Sequence, residues 1–300
     1  MGYKLIVIII IVLFLVIYIL NNKQFHLVRT EWFYNRGLSD NNMDSWELTF
    51  GVWKDDTTSY KQAAENLYEK LFSNMEITSD SSIVCVGCGM GNELIYLYNN
   101  YHPKKITAVD ITLEHVKRAR LLIEQHGLDD KIDVIYGSGT ELPKYIEPNS
   151  ATHVYSIEAV NNMPSFHDFI NGANKILVKD GILSFCDGFA YKKYNDPVSY
   201  CMTCAISLLW SIHLSNNRTF HDLQSDLDNI GFKQQNLLDL TDKVWKGYTE
   251  FKVKNHMDDV DARNSYVYAK LFKWCNEYLY YYTKKFDIKY LIYIGKKVSD

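Results

Sequence analysis

Three glycines at alternate positions, Gly87, Gly89 and Gly91, follow the apolar run Ile83-Val84-Cys85-Val86, and a carboxylate, Asp110, closes the next apolar run. Glycines placed so let the main chain turn through angles closed to other residues and let a ligand touch the backbone. Free N–H groups at the start of the helix that follows favour an anionic or strongly polar group. Asp110 stands about twenty residues beyond the loop, the separation at which a carboxylate on the second strand accepts from a ribose diol. Two such charge-assisted bonds are worth roughly 1.5–3 kcal/mol each. Any tight strand-to-helix turn can use glycine. The strand before, the helix after and Asp110 in register together point to a nucleoside across the ends of two parallel strands.

The elements that must hold these residues are legible as alternating periods. Thr57 to Met75 reads as a helix with Ala63, Ala64, Leu67, Leu71 and Phe72 on one face. Strands are expected at 83–86, 106–110, 132–136, 153–157 and 182–186. Helices are expected at 93–98, from the cap Thr112 to Gln125, and at 166–178. Later come a helix ending near Ile230, a strand at 232–238, a helix from about Asp259 to Tyr281 and a closing strand at 288–294. Strand, helix, strand at this spacing predicts an α/β fold, a Rossmann-like, doubly wound and mostly parallel seven-stranded sheet with helices on both faces. No repeat or low-complexity linker divides it. The economical organisation is an anchor at 1–22, a connector with an aromatic segment at 23–56, and a domain at 57–300 whose stretch 190–285 includes a helical, substrate-side insert.

Composition narrows the function. The 300 residues carry 32 Lys+Arg against 36 Asp+Glu, a formal net charge of −4, and 47% apolar residues, so a sizeable core is available and a nucleic-acid partner is not expected. Six cysteines are too few for a disulfide scaffold. The pairs Cys85/Cys88 and Cys201/Cys204 are far apart, one pair in a strand and its turn and the other in a helical run, so no metal site is expected. The nine histidines show no ligand spacing, and the acidic group Asp258, Asp259 and Asp261 reads as a solvated helix start.

The 16 residues Leu5–Leu20 are apolar or Tyr without interruption. As a helix they span about 24 Å, a little short of a hydrocarbon core of roughly 30 Å. Lys4 and Lys23 can snorkel to opposite interfaces, and no small-residue cleavage pattern follows. A single-pass anchor is the expectation. Lys23, Arg29 and Arg36 favour a cytosolic body, and the sequon Asn217-Arg218-Thr219 gives a glycosylation check for the opposite orientation.

A dinucleotide site of an NAD-dependent oxidoreductase wants G-x-G-x-x-G, whereas this loop is G-x-G-x-G. Val84 to Gly91 resembles the first motif of the class I S-adenosylmethionine-dependent methyltransferases. Thr107-Ala108-Val109-Asp110-Ile111-Thr112 resembles their second-strand motif. Tyr136-Gly137 through Glu141-Leu142-Pro143 is similar to the segment bordering adenine, Tyr155 to Ala159 through Met163-Pro164 to the fourth-strand motif, and Leu177 to Leu183 to the turn into the fifth strand. The likeness runs from about Phe50 to the end of the chain, with a flavour of the sterol and tocopherol C-methyltransferase (methyltransferase type 11) branch. It implies S-adenosylmethionine as cofactor, held by Gly87, Cys88, Gly89, Gly91, Asp110, Ile111, Ser138, Gly139, Thr140 and Ser156. Glu158 and Asn162, at the mouth of the fourth strand, are the candidates for catalytic contact with the acceptor.

The chain departs from the family pattern at Cys85 and Ser138, where members carry carboxylates, and at Asn162-Met163-Pro164-Ser165, where many carry His-x-Pro-Asp. Methyl transfer needs alignment and exclusion of water more than side-chain chemistry. Aromatic faces can shelter a cation, and Trp46, Phe50, Trp53, Phe189, Tyr191, Tyr194, Tyr200 and Trp210 are candidates, with core packing as the alternative. The expected function is methylation of a small, lipophilic acceptor at a membrane. The alternatives are a degenerate cofactor-binding or membrane-tethered interaction protein and, disfavoured by the loop, an oxidoreductase.

Overall fold

The computed structural model describes residues 22, 47–193, 196–209, 212–213, 218–251 and 266–298. The Leu5–Leu20 run, Trp46, Tyr194, Trp210, Asn217 and the acidic group at 258–261 lie outside them. Among the described residues no helix is long and apolar enough to cross a membrane.

Seven strands form one sheet. They are β1 (Ser82–Val86), β2 (Lys105–Asp110), β3 (Ile132–Tyr136), β4 (Ala151–Ile157), β5 (Leu177–Ala190), β6 (Phe232–Asp239) and β7 (Ile288–Lys297), in the order β3-β2-β1-β4-β5-β7-β6. The first five pair parallel, and β7 runs antiparallel between β5 and β6. The order reverses between β1 and β4, which opens a crevice beyond their carboxyl ends. The helices are α1 (Tyr60–Phe72), α2 (Asn92–Tyr101), α3 (Leu113–Gln125), α4 (Phe166–Ile176), α5 (Pro197–Leu209), α6 (Phe220–Ile230), α7 (241–251) and α8 (Tyr266–Lys285).

Period-two alternation along the strands divides the core. Ile83, Cys85, Ile292 and Ile294 pack with the apolar stripes of α1, α2 and α3 and with Val244 and Trp245 of α7. Val84, Val86, Leu291 and Tyr293 pack on the other face with α4 and α6. α4 carries Ile170, Ala173 and Ile176 at helical spacing and starts at Ser165, whose side chain accepts from the Asp168 N–H. α6 starts in a capping box of Thr219 and Asp222 and stops at Gly231, whose φ is 101°.

One expectation changes. β5 is 14 residues long rather than the five at 182–186, because nine of its residues, from Ile182 to Ala190, pair with β7. The stretch 190–285, expected to include a helical insert, is mixed in structure. α6 and β6 belong to the sheet layers, while α5 and α8 pack together through Met202, Tyr278, Leu279, Tyr282 and Phe286, in a small cluster of their own.

Candidate active site

The turn after β1 is built as the glycine spacing predicts. Gly87, Gly89 and Gly91 have φ of 81°, 50° and 85°, a left-handed region costly for residues with a Cβ. A Cβ on Gly87 would collide with Ala159, and one on Gly89 would lie 3.2 Å from Leu48 Cδ1. Gly91 caps α2 in the same backbone state.

Asp110, only 6% exposed, is aimed at this turn. Its Oδ2 accepts from the Gly89 N–H at 2.9 Å and its Oδ1 from the Thr112 N–H at 2.8 Å. His115 Nδ1 stands 3.3 Å from Oδ1. A carboxylate has about four lone-pair sites, so Asp110 keeps acceptor capacity for a diol while bracing the loop.

Loop and carboxylate border one crevice, and it continues to the mouth of β4. Of the residues named from sequence, Gly87, Gly89, Asp110, Ile111, Ser138, Gly139, Glu158 and Asn162 line it. Four stand behind its wall. Cys88 is buried, with its Sγ 3.8 Å from the Gly89 carbonyl. Gly91 faces Ala119 of α3. Thr140 Oγ1 is 2.9 Å from Ser138 Oγ. Ser156 is fully buried, and its hydroxyl donates to the Val86 carbonyl at 2.8 Å, which joins β4 to β1. All four sit in the expected segments, but strand alternation and loop direction turn them inward.

The lining residues that the spacing did not reveal are mostly apolar. Val86, Val109 and Met163 wall the nucleoside end, His115 sits beside Asp110, and Leu48 closes the crevice from the front. Leu48 belongs to a strap, residues 47–53, whose backbone is pinned by Val52 N–H donating to Ala63 O at 2.8 Å and Trp53 N–H donating to Lys243 O at 2.7 Å. Its aromatics Phe50 and Trp53 were candidates from sequence, but Leu48 was not, because the strap is placed over the crevice by partners far along the chain such as Lys243 and Glu158.

Glu158 is the strap's main anchor. Its Oε1 accepts from Thr49 Oγ1 at 2.7 Å, its Oε2 from the Phe50 N–H at 2.8 Å, and the Tyr290 hydroxyl donates to Oε1. Its own N–H donates to the Cys186 carbonyl, and its φ is 51°. Burial drives its pKa up to about 8; the bonds from Tyr290 and Thr49 pull it back, and the charge of Asp187 adds to the rise. Asp187, at the end of β5, is pushed up to about 6, again by burial, while bonds from the Gly188 and Asn161 N–H groups oppose the shift. At the other end of the strap Glu47, bonded by the Tyr68 hydroxyl, is raised by burial to about 7.

Of the aromatic candidates, Phe50 lies edge-on to Trp245 and Tyr248 at 4.9 and 4.8 Å, and Trp53 meets Phe251 at 4.6 Å. This cluster adjoins Glu158 through Phe50 and Tyr290. Phe189 and Tyr191 instead pack on Phe220, in the opposite core. Cys85, where a carboxylate was expected, directs its Sγ at Glu93 Oε1 of α2, 3.6 Å away, and burial holds the Glu93 carboxyl well above its usual range.

The crevice fits an adenosyl group: a glycine cradle a Cβ would fill, a buried carboxylate with spare acceptor sites, apolar walls and the Ser138 hydroxyl. Strand order, glycine loop and acidic partner define a Rossmann-like domain of the class I methyltransferase type. Residues 84–185, about a third of the chain, match the family described as "Methyltransferase domain".

The chain is 27% identical over 140 residues to the erythromycin 3''-O-methyltransferase of Saccharopolyspora erythraea, covering 47% of this chain and 45% of that one. It is 26% identical over 179 residues to the sterol 24-C-methyltransferase of Pneumocystis carinii, covering 58% and 46%. It thus spans about half the length of these relatives. A solved geranyl diphosphate methyltransferase in complex with S-adenosylmethionine superposes with a TM-score of 0.68 at 12% identity, covering 84% of this chain and 99% of that one. That likeness is one of fold.

Proposed function

We propose that this protein transfers a methyl group from S-adenosylmethionine to a small, lipophilic acceptor at a membrane. The observation that carries this reading is the single crevice running from Gly89 and Asp110 to Glu158 and Asn162, which puts a nucleoside-binding end and a polar end in one space. The cofactor, when bound, supplies a methyl carbon activated by sulfonium. Asp110 accepts from the ribose, the glycine turn gives its main chain to the ligand, and Val109 and Met163 cover an apolar face. Leu48 and the strap exclude water. Glu158, protonated at neutral pH, offers a hydrogen bond to an acceptor oxygen, and Asn162 a second polar contact.

The relative named for a sterol substrate supports a lipophilic acceptor. The Leu5–Leu20 run supports a single-pass anchor with the body on the cytosolic side. Titration of the full-length protein with S-adenosylmethionine and with NAD, repeated for Asp110→Ala, tests the cofactor. Incubation with extracted lipids and methyl-labelled cofactor tests the transfer. Binding of the former alone, lost in the variant, with label entering a lipid, is the expected result; binding of NAD or of neither overturns it. Cofactor binding without label transfer in any fraction favours the second reading, a non-catalytic binding protein, which the departures at Cys85 and Ser138 motivate.

A further inference from the structure

α8 presents two faces of opposite character. Leu279, Tyr282 and Phe286 are buried against Met202 of α5, Phe50 of the strap and Ile288. About a third of a turn away, Trp274, Tyr278, Tyr281 and Lys285 recur at spacings of four, three and four, one stripe of a helix. Trp274 is 56% and Tyr281 57% exposed, although these are among the largest apolar surfaces a side chain has. Trp274 and Tyr278 are stacked, with centroids 5.5 Å apart and planes 14° apart, so the stripe is ordered as a slab.

The neighbourhood extends the slab. The Tyr278 hydroxyl is 3.5 Å from the Met202 carbonyl and Lys285 Nζ is 3.4 Å from Met202 Sδ, which fixes the start of α5 beside it. There Val198 is 65% exposed. Lys284 and Lys285 end the helix on its exposed side, and the acids nearby among the described residues include Glu277 of α8 and Asp196 at the start of α5, which feels the charge of Lys285.

The stripe's position in the fold is equally specific. α8 leads into Ile288, which pairs with Ala190 at the carboxyl end of β5. That is the edge of the sheet on which the crevice opens, and α8 touches the strap residue Phe50 that donates to Glu158. The slab is therefore the outer surface of the cap beside the crevice mouth.

Apolar bodies with polar tips, flanked by lysines, are what a bilayer's headgroup layer accommodates. The same chain carries the uninterrupted apolar run Leu5–Leu20. We propose that the stripe Trp274-Tyr278-Tyr281-Lys285, with Val198, lies in the headgroup layer of an anionic phospholipid bilayer and so holds the crevice mouth against the membrane surface. This rests on the membrane reading above and adds to it an orientation: an acceptor dissolved in lipid reaches Glu158 past α8 without crossing bulk water.

The test uses the full-length protein in vesicles of phosphatidylcholine and phosphatidylserine, with and without brominated acyl chains. Bromine quenches indole emission on contact, and the difference between wild type and Trp274→Phe isolates the Trp274 signal. Quenching of that signal, weakened by Lys285→Glu at unchanged cofactor affinity, is the expected result. Proteoliposomes in which the Trp274 signal escapes bromine but is quenched by aqueous iodide overturn the docking while leaving the anchor standing. A Trp274 signal shielded from both overturns it as well, by showing that another part of the chain, such as the Leu5–Leu20 run, covers the stripe. Failure of the protein to stay with vesicles at all refutes the membrane reading on which the proposal rests.

Discussion

Replacing Glu158 by glutamine separates its charge from its shape. The carboxyl accepts from Thr49, Phe50 and Tyr290 and is protonated up to about pH 8 because burial disfavours the ionised form. In the unfolded chain the same group titrates near 4.5. Folding therefore takes up a proton between these values; the stabilisation is fully present below pH 4.5 and is lost as pH rises through about 8. Each tenfold gain in proton affinity on folding corresponds to about 1.4 kcal/mol, and partial exposure of the side chain discounts the sum to about 2–4 kcal/mol. Glutamine keeps an acceptor for the Phe50 N–H and offers donors to the Thr49 and Tyr290 oxygens, so Glu158→Gln should unfold within about 1 kcal/mol of wild type near pH 6. Between pH 6 and pH 9 it should then gain about 1–2 kcal/mol on wild type. Urea unfolding of the detergent-solubilised full-length protein across pH 5–9, followed by tryptophan emission, measures both. Asp187 and Glu47 titrate in the same direction, so the difference between the two proteins is the informative quantity. Parallel stability curves over the whole range would refute the account of Glu158 as a buried, proton-holding anchor.

Asp110→Ala removes both ribose acceptors and the brace on Gly89; a loss of about 2–4 kcal/mol in S-adenosylmethionine binding, roughly thirty- to a thousandfold in Kd, is expected by calorimetric titration. Gly87→Ala forces a Cβ into Ala159 at a φ of 81°, and the thermal midpoint should fall together with cofactor binding, at a cost of about 1–3 kcal/mol. Cys85→Asp, which restores the acidic residue usual in the family, places a second carboxyl beside buried Glu93; it should destabilise the protein by about 2–4 kcal/mol, and Glu93→Gln should recover much of that loss in a double-mutant cycle. Tyr290→Phe deletes a bond that lowers the Glu158 pKa, so the midpoint of the pH-dependent stability difference should move upward.

What the residues revealed on their own divides along a physical line. The glycine turn, Asp110 and β3 at 132–136 were legible because each is fixed by neighbours within a few residues, by glycine angles or by a short apolar run. Cys88 and Ser156 were placed in the right segments but face inward, since a one-residue change of direction exchanges crevice for core. The length of β5 depends on β7, about a hundred residues further along. Glu158 was found at the mouth of β4, yet its bonds to Thr49 and Phe50 span 109 and 108 residues, and no periodicity reports them. Glu93 stands near the place of the carboxylate that Cys85 lacks, but it approaches from α2 rather than β1.

The strand nearest the carboxyl terminus among the described residues lies inside the sheet rather than at its rim: β7 is inserted between β5 and β6, and from it Tyr290 reaches Glu158. During synthesis β5 and β6 therefore leave the ribosome with bare hydrogen-bonding flanks, and they stay so until residues 288–297 follow. A nascent or truncated chain lacking those residues would hold its first five strands already gathered yet offer sticky borders to its neighbours.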